Sequence, residues 1–190
     1  MNIIFINGPS SSGKTTIART LQDLLDRFYL HIGIDTFIHM MPARANNLTA
    51  NVGAAEGFFF EPCTVDEKTA FRVRSGHFGQ LVNEAYRETV KVIAQRGIGV
   101  IVDDVIDGIS EWKKWQPYLD GLTLIKIAVS CDEEVLAHRE RERGDRRIGS
   151  AIEQSRRVHQ GMDYDLQVDT SFKSAEQCAR YIAKHIIRVE

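Results

Sequence analysis

The chain has 190 residues, 43% apolar and 26% charged, and its 24 Lys and Arg against 26 Asp and Glu leave a net charge of −2. That length suits one domain with a real core, and the balanced charge argues against nucleic acid as partner, because phosphate-backbone binders carry a basic surplus. Three scattered cysteines, Cys63, Cys131 and Cys178, form no CxxC pair and read as reduced thiols, while the lack of a membrane-length apolar run or a basic N-terminal leader leads us to expect a cytoplasmic protein without membrane contact.

Residues 2–7 (NIIFIN) read as a buried strand, short, continuous and β-branched, ended by glycine. "KTTIARTLQDLLDR" follows as a helix with Ile17, Leu21, Leu24 and Leu25 on one face. "FYLHIGID" is a second strand, and "TFIHMMP" a short helix stopped by Pro42. Residues 43–68 mix small, polar and glycine residues with one aromatic triplet, and they show no periodicity. Such a length is expected to be a functional loop or an insertion. A helix is expected from about residue 70 to 96, with Phe78, Leu81, Val82, Ala85, Val92 and Ile93 as its core face and Gly97 at its end.

"IGVIVDDV" is the clearest buried strand. "SEWKKWQPYL" gives a short helix and "LTLIKIAVS" a fourth strand. "CDEEVLAHRERERGDRR" starts as a helix and turns basic, and "GSAIEQSRRVHQGM" is a further helix. "DLQVDT" is a fifth strand, and "SAEQCARYIAKHIIRV" a terminal amphipathic helix with Ser174 as N-cap. This alternation predicts an α/β fold: a five-stranded, doubly wound parallel sheet with helices on both faces and right-handed crossovers. Ligands in such sheets bind outside the carboxyl ends of the strands. The expected organisation is a single domain over 1–190, with a loop or insertion at about 43–69 and a lid at about 139–150.

Gly8, Pro9, Ser10, Ser11, Ser12, Gly13, Lys14 and Thr15 fit G-x-x-x-x-G-K-[ST] at every fixed position, and Thr16 follows. The glycines let the backbone curl so that successive N–H groups point inward as an anion nest. The helix behind adds the positive end of its dipole. Lys14 can reach the β- and γ-phosphates, and the Thr15 hydroxyl can ligate Mg²⁺. ATP and Mg²⁺ are therefore the expected cofactors. Asp103, ending a buried strand, is the natural candidate to hold the metal's water shell. Alternation sends Asp103 and Asp104 to opposite faces, so their roles could be exchanged.

No N-K-x-D motif is present to read a guanine base, and the chain is short for a motor, which leaves a small kinase. Asp35, at the end of the second strand, is the candidate carboxylate. There it could take or orient the proton of an attacking hydroxyl, or it could cap the next helix. Arg139, Arg143 and Arg146 share one helical face beside Gly144. Such a segment could close over ATP; alternatively it is a solvated helix in which Glu140 and Glu142 pair with arginines.

"GPSSSGKTT", "GIDTFIHMMP", "VIVDDV", "RERGDR" and "VHQGMDYDLQVDT", in this order, resemble the chloramphenicol phosphotransferase family. Its members are P-loop kinases that phosphorylate a primary hydroxyl of that antibiotic with ATP. The resemblance covers most of the chain. It implies the P-loop NTPase, nucleotide-kinase-like three-layer sandwich, Asp35 as general base, and arginines of "RERGDR" approaching the ATP phosphates. It also implies a small-molecule hydroxyl substrate and a link to antibiotic resistance. Residues 43–76 are where the acceptor pocket and its cover are expected. There "GFFF" could stack on an aromatic acceptor or pack the insertion's own core. Arg44, Arg72 and Arg74 would instead suit the acidic acceptor of a metabolite or nucleotide kinase. A non-catalytic ATP-binding regulator is the reading from another class, and a homo-oligomer is left open.

Overall fold

The computed structural model describes residues 1–48, 55–144 and 147–189. In chain order its elements are β1 (Ile3–Asn7), α1 (Lys14–Leu24), β2 (Tyr29–Ile32), α2 (Ile34–Met40), β3 (Phe58–Val65), β4 (Lys68–Ser75) and α3 (His77–Gln95). Then come β5 (Gly99–Asp104), α4 (Gly108–Leu119), β6 (Leu124–Ser130), α5 (Glu133–Arg143), α6 (Ser150–Ser155), β7 (Leu166–Asp169) and α7 (Ala175–Val189). Five strands form a parallel sheet in the order β2-β5-β1-β6-β7.

The central strands are Ile- and Val-rich without a polar face because helices cover both sides. Alternation along β1 divides its side chains between two cores. Ile4 and Ile6 pack with Ile17 and Leu21 of α1 and Ile182 and Ile186 of α7. Ile3 and Phe5 pack with Tyr86 and Val90 of α3 and Trp112 and Trp115 of α4. Phe5 meets each tryptophan edge-on at 5.1 Å. The β1–β5 register sets Ile6 beside Asp103 and Asn7 beside Asp104. The two strands therefore end level, and the loop after Asn7 leaves the sheet alongside both aspartates.

Two regions depart from the sequence reading. Residues 58–75 pair as an antiparallel hairpin, β3 with β4, from Phe58 opposite Ser75 to Val65 opposite Lys68. The helix expected from residue 70 begins only at His77. The hairpin escapes pattern reading because charged residues stud both strands, Pro62 interrupts one, and its turn is Asp66-Glu67, both at positive φ, rather than Asn-Gly. Phe60 meets Phe71 edge-on at 6.2 Å, which favours packing within the segment, while Phe58 of "GFFF" is buried but lines the cleft at the sheet's end.

The core face of α3 is also rotated from the expected one. Gly79, Tyr86, Arg87, Val90 and Ala94 are buried, whereas Phe78, Leu81, Ala85 and Val92 are exposed. Two long, polar-tipped side chains take inward positions because their tips reach the cleft at the sheet's end.

One buried carboxylate fixes the turn from α5 into α6. Glu140, 1% exposed, accepts hydrogen bonds from the Gly149 N–H (2.6 Å), the Ser150 hydroxyl (2.7 Å) and the Ala151 N–H (2.9 Å). It thereby satisfies donors that the start of a helix leaves open. Among the described residues no helix is long and apolar enough to cross a membrane. Glu140→Ala strands three donors at once and is predicted to cost about 2–4 kcal/mol of stability, measured by urea unfolding; an unchanged midpoint would contradict the cap.

Candidate active site

The loop from Gly8 to Thr15 leaves β1 pressed against β6. A Cβ at Gly8 would lie 2.4 Å from the Val129 carbonyl oxygen, so only glycine fits. Gly13 takes the left-handed conformation at φ 88 and starts α1, and Ser11 is left-handed too. A loop so curled needs partners from elsewhere, and it has them.

Asn7, fully buried, donates from Nδ2 to the Val158 carbonyl and to the Tyr164 hydroxyl, both at 2.8 Å. Its Oδ1 accepts the Ile106 N–H at 3.0 Å. His159 lies with Nε2 3.3 Å from the Val129 carbonyl and Nδ1 2.8 Å from the Tyr164 hydroxyl. A carbonyl only accepts, so Nε2 carries the proton and Nδ1 accepts from Tyr164. Burial holds His159 below the usual histidine range and pushes Tyr164 up to about 12, which keeps both neutral. Thr170 donates to the Ser12 carbonyl at 2.8 Å and in turn receives Arg139 at 3.2 Å. The stretch "VHQGMDYDLQVDT" is thus a brace for the phosphate loop. Asn7, Gln154, His159, Tyr164 and Thr170 were not singled out from sequence; the one local signal was a polar residue ending an apolar strand.

Within the loop, Lys14 Nζ donates to the Pro9 carbonyl at 2.9 Å, and the Ser10 N–H donates to Gln154 Oε1 at 2.7 Å. The hydroxyls of Ser11 and Ser12 are buried without a partner among the described residues. Thr15 donates to Asp103 Oδ2 at 2.6 Å, and His31 Nε2 lies 3.3 Å from the same oxygen. Burial raises the Asp103 pKa, but the contacts with His31, Lys14 and Thr15 outweigh it and hold the carboxyl below its ordinary value. Thr15 and ionised Asp103 form an oxygen pair that suits a hard divalent cation. Asp104 faces the other layer, near Tyr86. Burial pushes its carboxyl up to about 7, although the Val105 N–H, at 2.8 Å, stabilises the anion.

Asp35 opens α2. Gly33 holds the N-cap position, so Asp35 sits in the first turn rather than capping the helix. A Cβ on Gly33 would fall 2.6 Å from the Asp103 carbonyl oxygen, so this glycine lets the β2–α2 turn run close to β5. Asp35, Lys14, Thr15, Thr16, Asp103 and Arg143 all line one cleft of about 1490 Å³. Arg139 lines it as well, held by Thr170 and 3.5 Å from the Ser11 carbonyl. Arg146 lies outside the described residues.

Several cations in or beside the cleft are committed to carboxylates, although Arg72 is not part of its lining. Arg72 meets Glu153 at 2.6 Å, Arg74 meets Glu61 at 2.7 Å, and Lys114 meets Glu111 at 2.8 Å. Arg87, also on Glu111, lies over the Trp115 ring at 5.8 Å. Arg44 is exposed in a 3-10 turn and does not line the cleft.

The chloramphenicol phosphotransferase-like protein family matches residues 1–187. The chain belongs to this family. Two curated proteins from strains of Mycobacterium tuberculosis, each named "Putative O-phosphotransferase", are 31% identical over 183 residues, spanning 94% of this chain and 79% of theirs. Among solved structures, the tunicamycin resistance protein of Deinococcus radiodurans superposes with a TM-score of 0.63 at 17% identity, over 97% of this chain and 95% of that one. The APS kinase of Mycobacterium tuberculosis, in complex with AMPPNP and APS, gives 0.61 at 11% identity over 97% and 96%. At those identities the likeness establishes the P-loop kinase fold. Family and fold together make this member of the chloramphenicol phosphotransferase-like group a phosphotransferase of the kinase type.

Asp104 gives a pH signature. Its folded pKa is about 7 against an ordinary 3.8, so between those values the folded state holds a proton that the unfolded state has lost. Stability therefore falls as pH rises through that window. Asp104→Asn should match wild type near pH 4 and exceed it above pH 7, by at most roughly 4 kcal/mol. Urea unfolding at both pH values checks this; parallel pH profiles would contradict it.

Proposed function

We propose that the protein is an ATP-dependent phosphotransferase that moves the γ-phosphoryl group of ATP to an alcohol hydroxyl of a small molecule. The observation that carries this reading is the shared cleft: the phosphate loop and Asp35 open into the same space. The amides of Gly13 to Thr16, at the start of α1, would cradle the phosphates, and Lys14 would exchange the Pro9 carbonyl for phosphate oxygens. Mg²⁺ fits Thr15 and Asp103, and when bound it would neutralise phosphate charge. Asp35 would accept or orient the proton of the acceptor hydroxyl as the new oxygen–phosphorus bond forms and ADP leaves. Arg139 and Arg143 would face the charge that develops on the transferring group. Arg146 is assigned with them from the sequence alone.

The segment from Arg139 to Ser150 is the proposed lid. Gly144 ends α5 in the left-handed conformation, a point where the chain can redirect. Opposite lies the acceptor half of the cleft. Of the arginines that would have marked an acidic acceptor, Arg44 and Arg72 do not line the cleft and Arg74 is paired with Glu61. That favours an uncharged alcohol over a carboxylated or phosphorylated metabolite, and chloramphenicol is the first acceptor to try.

The test is incubation with ATP, Mg²⁺ and either chloramphenicol or a panel of neutral and acidic alcohols, followed by mass analysis for a phosphorylated product. A neutral alcohol is predicted to gain phosphate. Asp35→Asn is predicted to lower kcat by about 100-fold or more with nucleotide affinity unchanged. Transfer at the wild-type rate by this variant would remove Asp35 from the chemistry.

A further inference from the structure

One peptide of the phosphate loop is gripped from both sides. Pro9 and Ser10 share it: its carbonyl takes Lys14 Nζ at 2.9 Å, and its N–H donates to Gln154 Oε1 at 2.7 Å. The loop amide can only donate, so the Gln154 oxygen faces it and the side-chain nitrogen faces away. Gln154 is 6% exposed and lines the cleft. No described residue accepts from its Nε2, and that atom is not among the buried atoms lacking a partner, so it retains access to the cleft.

The side chain is also held in place. Its neighbour Glu153, 2% exposed, is tied to Arg72 at 2.6 Å and to Arg157 at 2.9 Å. Glu140 pins the start of the same short helix. Gln154 is therefore presented by a fixed element, as a site that binds with little reorganisation requires.

We propose that Gln154 reads the terminal phosphate: its amide nitrogen donates to a γ-phosphate oxygen of a nucleoside triphosphate, while its oxygen keeps the Ser10 amide in the loop. This rests on the reading of the cleft as an ATP site. The assignment to the γ rather than the β position follows from place. Gln154 holds the first limb of the loop, across one peptide from the lysine that reaches the β- and γ-phosphates. The amides of the second limb, Gly13 to Thr15, lead into α1 and suit the β-phosphate. The amide adds a directed donor without adding charge.

The experiment is calorimetric binding of ADP and of a non-hydrolysable ATP analogue, both with Mg²⁺, to wild type, Gln154→Ala and Gln154→Glu. Gln154→Glu keeps an acceptor for the Ser10 amide but sets a carboxylate against the phosphate. We expect the preference for the analogue over ADP to fall about tenfold in Gln154→Ala, the scale of one hydrogen bond to a charged group. It should fall further in Gln154→Glu, with ADP affinity within about twofold of wild type in that variant. If the three proteins share one preference, or if both ligands weaken together in Gln154→Glu, Gln154 is only a brace and the proposal is overturned. If wild type binds neither ligand, the ATP-site reading itself fails.

Discussion

The phosphate loop closes little of its own hydrogen bonding: one backbone pair within it is the Ser12 N–H on the Pro9 carbonyl at 3.3 Å. Six residues, Gly8 to Gly13, curl between β1 and α1 through two left-handed positions, Ser11 and Gly13, and the curl turns other backbone groups inward or outward. The inward ones are free to meet an anion. The outward ones must be met by protein, and their partners come from the last third of the chain: Gln154 on Ser10, Arg139 on Ser11 and Thr170 on Ser12. Asn7, at the root of the loop, ties in Val158 and Tyr164. Parallel strands make this possible, since β1, β6 and β7 end on the same side and deliver their following loops to one place.

The same alternation that builds the two cores divides the two aspartates of β5. Asp103 falls on the side of α1 and sits on Thr15. Asp104 falls on the side of α3 and α4, beside Tyr86. The α1 side of the cleft and its α3–α4 side are thus separated by one residue of one strand. Helix α6 joins them again: Glu153 holds β4 through Arg72 while Gln154 holds the loop. Arg156 extends the tie, reaching Asp66 at the hairpin turn and Glu133 at the start of α5. The hairpin is therefore fastened to α6 and, through Arg156, to the start of α5.

What could be read from the residues follows physical lines. The sheet was legible because buried parallel strands are written as unbroken apolar runs between helices. The loop was legible because its glycines answer to backbone geometry that no other residue tolerates. The places of Asp35 and Asp103 in the cleft were legible because Asp103 lies in the last two residues of β5 and Asp35 follows β2 closely, at the carboxyl end of the sheet, although Asp35 lies in α2 rather than in the strand. The hairpin was not, because Glu61, Pro62, Arg72 and Arg74 are dictated by ion pairs and edge exposure rather than by a core. The face of α3 was misjudged because Tyr86 and Arg87 count as polar in a pattern yet bury long apolar stems. The brace was invisible because its partners lie far apart in sequence and meet only once the sheet has formed.

The account stands on one spatial claim: the loop presents the terminal phosphate to Asp35. A crystal structure with a non-hydrolysable ATP analogue, Mg²⁺ and an acceptor alcohol tests it most directly. The predicted result has Lys14 released from the Pro9 carbonyl onto the phosphates, and the acceptor hydroxyl between Asp35 and the γ-phosphorus. A nucleotide bound outside the loop, or one whose terminal phosphate points away from Asp35, would contradict it.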